Sequence, residues 1–169
     1  TDPIDTFWLS MAGEFQDRKF VSITKGDIDL TAFSDDKKEK EKKPPAGMKG
    51  LVEKIKEILG ESVQDVKVST KLVDSACCLV APDTGMDVQM ERIMKIQNKD
   101  FKGMPRILEI NPDHNIIKKL NKIKDTDKDA LNDASFLLFD QAKMVEGELP
   151  NDIAKFNQRM SKFLGIALS

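Results

Sequence analysis

His114, the adjacent pair Cys77 and Cys78, and a scatter of Asp and Glu are the side chains here that could do chemistry. His114 is the only histidine. A general base needs a reacting group within hydrogen-bond reach and a third group to orient it, and no motif in the chain supplies either. His114 follows Asn111-Pro112-Asp113 at the expected start of a helix, where capping or packing is its predicted role. Cys77 and Cys78 are neighbours on a predicted strand. Successive strand side chains point to opposite faces, so the two thiols cannot chelate one ion together. No second Cys/His pair accompanies them, and buried apolar roles are expected for both. No glycine-rich phosphate loop occurs, and the carboxylates read as solvated helix faces. No active site is expected, and function must lie in what the surfaces bind.

The elements behind those residues follow from periodicity. Leu51 to Leu59 reads as a helix with Leu51, Val52, Ile55, Ile58 and Leu59 on one side and Gly60 as its stop. Asp65 to Val73 alternates as a half-buried strand. Cys77 to Val80 is a second strand, and Asp74-Ser75 between the two suggests an antiparallel hairpin. Arg106 to Ile110 is a third strand. Asn111 with Pro112 reads as the N-cap and first position of a helix carrying Ile116, Ile117, Leu120 and Ile123 on its apolar face. Thr126 with Asp129 reads as a capping box. The expected fold is α+β: a small three-stranded mixed or antiparallel sheet with helices.

The chain has 169 residues, 33% charged and 40% hydrophobic, with a net charge of −2. That describes a soluble globular protein of about one domain, without a global pull towards nucleic acid or anionic membrane. No apolar run approaches ~18 residues, so no membrane span is expected. Two adjacent cysteines make a poor disulfide framework and fit a reducing compartment. The Thr-Asp-Pro opening suggests a piece of a longer protein. Residues 1–34 hold a helix with Ile4, Phe7, Trp8 and Met11 and a strand over Lys19 to Thr24. They lack the apolar material for a core and read as the tail of a preceding domain. Residues 35–48, rich in Lys, Glu and Asp, read as a mobile linker. Residues 49–169 form the main domain.

Two amphipathic helices close the chain. Leu131, Ala134, Leu138, Ala142 and Val145 share one side of the first, widened by Phe136, Leu137 and Phe139, and Gly147 caps it. Ile153, Phe156, Met160, Phe163 and Leu164 share one face of the second. These two helices cannot hide their phenylalanines from each other. Either the rest of the domain or a second copy must cover them, because wet apolar surface costs about 25 cal/mol per Å². Elsewhere, Met86, Met90, Ile93 and Met94 form a stripe at helical spacing. Composition leans to burial in a core, although methionine also suits surfaces that accept varied apolar partners. Phe7 and Trp8 carry the same pair of readings, burial or an exposed aromatic grip.

Several blocks taken together resemble the heat-shock protein 90 chaperones of the bacterial HtpG type. They are Leu51-Val-Glu-Lys-Ile-Lys-Glu-Ile-Leu-Gly, Leu108-Glu-Ile-Asn-Pro-Asp-His-Asn-Ile-Ile, Leu138-Phe-Asp-Gln-Ala, Asn157-Gln-Arg-Met, and Asp2-Pro-Ile-Asp with Lys25-Gly-Asp-Ile-Asp-Leu. The resemblance implies the end of a middle domain followed by the C-terminal domain. It implies a homodimer closed by a four-helix bundle from the two terminal helices. Its interface would involve Leu131, Ala134, Leu138, Phe139, Ala142, Phe156, Met160, Phe163 and Leu164. It reverses the reading of the methionine stripe. Met86, Met90, Ile93 and Met94, with Phe7 or Trp8, take positions that contact unfolded or partly folded client proteins. A purely structural dimerisation module is the alternative. ATP and magnesium belong to an N-terminal domain that these residues do not include, so no cofactor is expected here. No nucleic-acid or membrane partner is implied. The ending lacks the acidic Met-Glu-Glu-Val-Asp signal of the eukaryotic cytosol, which implies a bacterial cytoplasmic protein or a mitochondrial relative.

Overall fold

The computed structural model describes residues 8, 12–20, 47–82, 93–94, 96–97 and 103–168. The chain divides into two compact units, Thr1–Lys38 with Val80–Pro105, and Glu39–Leu79 with Arg106–Ser169. In the first unit, β1 (Glu14–Phe15) pairs antiparallel with β2 (Arg18–Lys19). The turn between them places Gln16 and Asp17 at φ 49° and 62°. Two successive left-handed residues give a turn whose twist matches that of the flanking strands. Of the strand expected over Lys19 to Thr24, only Lys19 lies in β2, Phe20 is outside any strand, and residues 21–24 lie outside the described set.

The second unit packs helices on a small sheet. The first helix, α1 (Met48–Leu59), buries Met48, Leu51, Ile55 and Leu59, a three-and-four spacing that puts them on one face. Met48, assigned by the sequence to the end of the linker, is thus part of the core. The sheet has the order β3–β5–β4, with β3 (Val63–Val68), β4 (Cys77–Val80) and β5 (Arg106–Ile110). β3 runs parallel to β5, with Val66 opposite Leu108 and Val68 opposite Ile110. The Asn111 N–H donates to the Ala76 carbonyl at 2.8 Å, which sets the end of β5 beside the start of β4, so these two strands run antiparallel. The sheet is mixed.

The expected hairpin between β3 and β4 is not formed. All five residues of β5 are buried, and this strand takes the centre between the other two. β3 also stops at Val68 rather than Val73. Ser69 Oγ accepts from the Lys71 and Leu72 N–H groups at 3.2 and 3.3 Å and donates to Glu109 Oε2 at 2.7 Å, folding the chain out of the ladder. A serine hydroxyl competing for backbone donors ends the strand.

Three more helices follow: α2 (Asn115–Ile123), α3 (Lys128–Val145) and α4 (Ile153–Ala167). The cap of α2 is His114, whose Nδ1 accepts from the Ile116 N–H at 3.2 Å, so the capping role expected for this histidine is the observed one. Asn111 is not the cap. Its amide donates to the carbonyls of Val73 and Ser75, and its Oδ1 accepts from Asp113, which ties the β3–β4 connection to the end of β5. Ile116, expected on the apolar face of α2, is exposed, while Ile117 and Leu120 are buried. Asp127, one residue beyond the expected Thr126, caps α3 by accepting from the Ala130 N–H at 2.9 Å. The main core gathers α1, β3, β5, α2 and one face of α3.

Candidate functional site

α3 is apolar on more than one side, and the structure gives each side a different cover. Leu131, Ala134, Leu138, Phe139 and Ala142 point into the chain's own core, where all five are buried. The opposite side carries Asp133, Phe136 and Asp140, at the three-and-four spacing that lines one helical row. α4 lies along that row. Asp133 receives Lys162 Nζ at 2.7 Å and Arg159 Nε at 3.4 Å. Those two cations, Lys162 foremost, hold its carboxyl below the usual carboxylate range. The Arg159 guanidinium also sits 4.3 Å from the centre of the Phe136 ring, a cation–π contact.

The connection between these helices is itself anchored. Gly147 adopts φ 82°, and the Glu148 N–H reaches back to the Lys143 carbonyl at 3.0 Å, the backbone pattern that closes a helix through a left-handed glycine. The buried Arg106 side chain pairs with Glu148 at 3.0 Å and Glu146 at 3.8 Å, which ties this loop to the start of β5. Lys143 Nζ donates to Asn151 Oδ1 at 2.6 Å, and Asp152 caps α4 by accepting from the Lys155 N–H. Sequence periodicity could not reveal the Arg106 pairs, because they join residues far apart in the chain.

α4 has no buried residue. Phe156, Met160 and Phe163 are half-buried, and Phe163 packs against the core cluster. Along the adjacent edge of the same face, Ile153 is 52% exposed and Leu164 54%. Leu149 in the connection and Val145 at the end of α3 are exposed as well, so Val145 does not share the buried side expected for it. The four phenylalanines are therefore covered unequally: Phe139 is inside, Phe136 lies under Arg159, and Phe156 and Phe163 are partly open.

Asp140 is the functional candidate that pattern reading missed. It is 6% exposed, and burial pushes its carboxyl up while Lys143 and Arg159 pull it down. A carboxylate that the fold buries signals either a pair or a partner, and its burial could not be read from the sequence.

The candidate client-contacting residues fall partly within the described set. Trp8 is helical and 61% exposed. Ile93 and Met94 are helical and half-buried. Phe7, Met86 and Met90 lie outside the described residues. The two cysteines are no nucleophiles: burial pushes Cys77 up to about 12 and Cys78 to about 11, and Cys77 Sγ donates to the Leu138 carbonyl. Among the described residues no group of His, Cys, Asp and Glu could hold a metal ion, and no helix is long and apolar enough to cross a membrane.

Comparison with known proteins adds an independent line. The profile of the family described as Hsp90 protein matches residues 1–169. The chain is similar to Chaperone protein HtpG of Mesorhizobium japonicum, 38% identical over 99% of this chain and 27% of the relative. It is similar to Chaperone protein HtpG of a Wolbachia from Brugia malayi, 36% identical over 97% of this chain and 27% of the relative. A third, Chaperone protein HtpG of Burkholderia ambifaria, is 38% identical over 97% of this chain and 25% of the relative. The chain spans about a quarter of the length of these curated relatives.

Proposed function

Because the chain belongs to the Hsp90 protein family, we propose that it is the dimerising and client-contacting part of an ATP-dependent chaperone. It covers the end of a middle domain and the C-terminal domain. The observation that carries this reading is α4, a helix of 15 residues with none buried by its own chain. A second copy, related by two-fold symmetry, would bring its own α3 and α4 against the open edge at Ile153 and Leu164. The result is a four-helix bundle. Symmetric pairing requires a self-complementary patch, and an apolar edge flanked by charge meets that requirement.

The five α3 residues buried in the core would then act from behind, as the rigid support of the interface, with Phe156, Met160, Phe163 and Leu164 facing the second copy. Trp8, Ile93 and Met94, with Phe7, Met86 and Met90, would offer apolar contacts to unfolded or partly folded proteins. Pairing holds two such surfaces together and raises the effective concentration of each for a client bound to the other. Nucleotide chemistry would belong to the rest of a cytoplasmic chaperone, with ATP and magnesium bound outside these residues.

Sedimentation equilibrium on the chain tests the pairing: a dimer at micromolar concentration is expected, and a monomer throughout that range refutes it. For the client surface, Trp8→Ser combined with Met94→Ser should weaken binding of an unfolded model protein while leaving the dimer intact. Unchanged affinity would remove the client assignment and leave a purely structural dimer.

A further inference from the structure

We propose that Asp140 is a specificity-determining residue of the self-association surface, its carboxylate accepting a hydrogen bond from Asn157 of a second copy. The inference rests on the pairing proposed above and names the polar contact that fixes its register.

Asp140 stands on the side of α3 that carries Asp133 and Phe136, away from the main core. It is 6% exposed, yet among the described residues no N–H or O–H donates to its carboxylate. Its oxygens are not fully enclosed either. Asp133, two turns earlier in the same row, shows the contrast, since it is satisfied twice from α4. The charges that act on Asp140 are Lys143 on its own helix and Arg159 on α4, which favour its ionised form, and Asp152 at the start of α4, which opposes it. Lys143 donates to Asn151 and Arg159 pairs with Asp133, so both nearby cations are engaged elsewhere. A carboxylate taken out of water without a donor is costly, and that cost is removed when a partner brings one.

The donor is found on the open edge of α4. Asn157 is exposed, lies one helical turn beyond Ile153 and about two turns before Leu164, and makes no hydrogen bond through its side chain among the described residues. An amide there is placed to be buried along with those two apolar neighbours when a second copy covers them. One buried polar pair among apolar contacts fixes register, because any slipped alignment leaves both groups unsatisfied. Two-fold symmetry repeats the pair on the other side of the dimer.

The test is a double-mutant cycle on the full 169-residue chain, read by sedimentation equilibrium. Asp140→Asn and Asn157→Ala should each raise the dissociation constant roughly a hundredfold, since a charge-assisted bond is lost twice per dimer. The double variant should be hardly worse than either single one. Asn157 is exposed, so its replacement keeps the fold of the separate chain even if Asp140→Asn lowers stability. Accepting a donor lowers the carboxyl's proton affinity, so wild-type association should be full above the single chain's raised value and weaken as pH falls through it. Asp140→Asn should flatten that step. Additive losses, tighter association of Asp140→Asn, or an unchanged pH profile would each overturn the role of Asp140 while leaving a wild-type dimer in place. A wild-type monomer would instead overturn the pairing itself.

Discussion

Leu164→Ala separates association from folding more cleanly than any other change in α4. Leu164 is 54% exposed in the single chain. Burying a whole leucine side chain is worth ~1.5–3 kcal/mol, so covering its exposed half is worth about 1 kcal/mol per copy. Two-fold symmetry counts that contact twice, about 2 kcal/mol per dimer. The dissociation constant should therefore rise roughly thirtyfold. Leu164→Asp adds the cost of desolvating a carboxylate and should give monomers at micromolar concentration. The fold of the single chain should survive both changes, because the side chain is half in water already. Phe139→Asp provides the contrast. Phe139 is 7% exposed inside the core, and a charge there should unfold the unit before any effect on pairing could be read. The assay is sedimentation equilibrium, with far-ultraviolet circular dichroism at dilutions where the wild type has dissociated. If both Leu164 variants associate as the wild type does, with helicity intact, the open edge of α4 is not an interface.

Two further outcomes follow from the α3–α4 connection. Gly147→Ala should cost about 1 kcal/mol in a thermal melt: its φ of 82° disfavours any side chain, and no atom lies within 4 Å of the added carbon, so the penalty is one of backbone alone. A melt unchanged from the wild type would show that the glycine is not needed for the turn. Asp133 has a depressed carboxyl in the folded state, so its contribution is complete above the unfolded value of about 3.9 and is lost as pH falls below it through the folded value. Asp133→Ala should thus lower the melting temperature at neutral pH and have little effect near pH 2; an equal loss at both would exclude the ion pairs as its cause.

The helices were legible because their burial is local in origin. Leu51, Ile55 and Leu59 announce α1 by spacing alone, and the same holds for Leu131, Leu138 and Ala142 in α3. Strand order was not legible. Asp74-Ser75 permits a tight turn but does not require one, and the choice was made by β5, whose five residues are all buried and so must lie between two neighbours. The caps moved for a similar reason. Asn111 has the right chemistry for a helix start, yet the carbonyls of Val73 and Ser75 claim its amide, and His114 takes over. At the candidate site, the apolar face of α4 was readable from Ile153, Phe156, Met160 and Leu164. Which of these the chain itself would cover was not, since that depends on the Asp133 ion pairs and the seat of Arg159 over Phe136.

The backbone passes between the two compact units at three places, after residues 38, 79 and 105. A protease that severs the first passage frees residues 1–38 from the chain but leaves the other two passages intact, so residues 80–105 stay covalently joined to 39–79 and 106–169. Wear at the charged run therefore does not detach the residues carrying Ile93 and Met94 from the helices at the carboxyl end. Separating them takes a cut in another passage, the one adjoining β5.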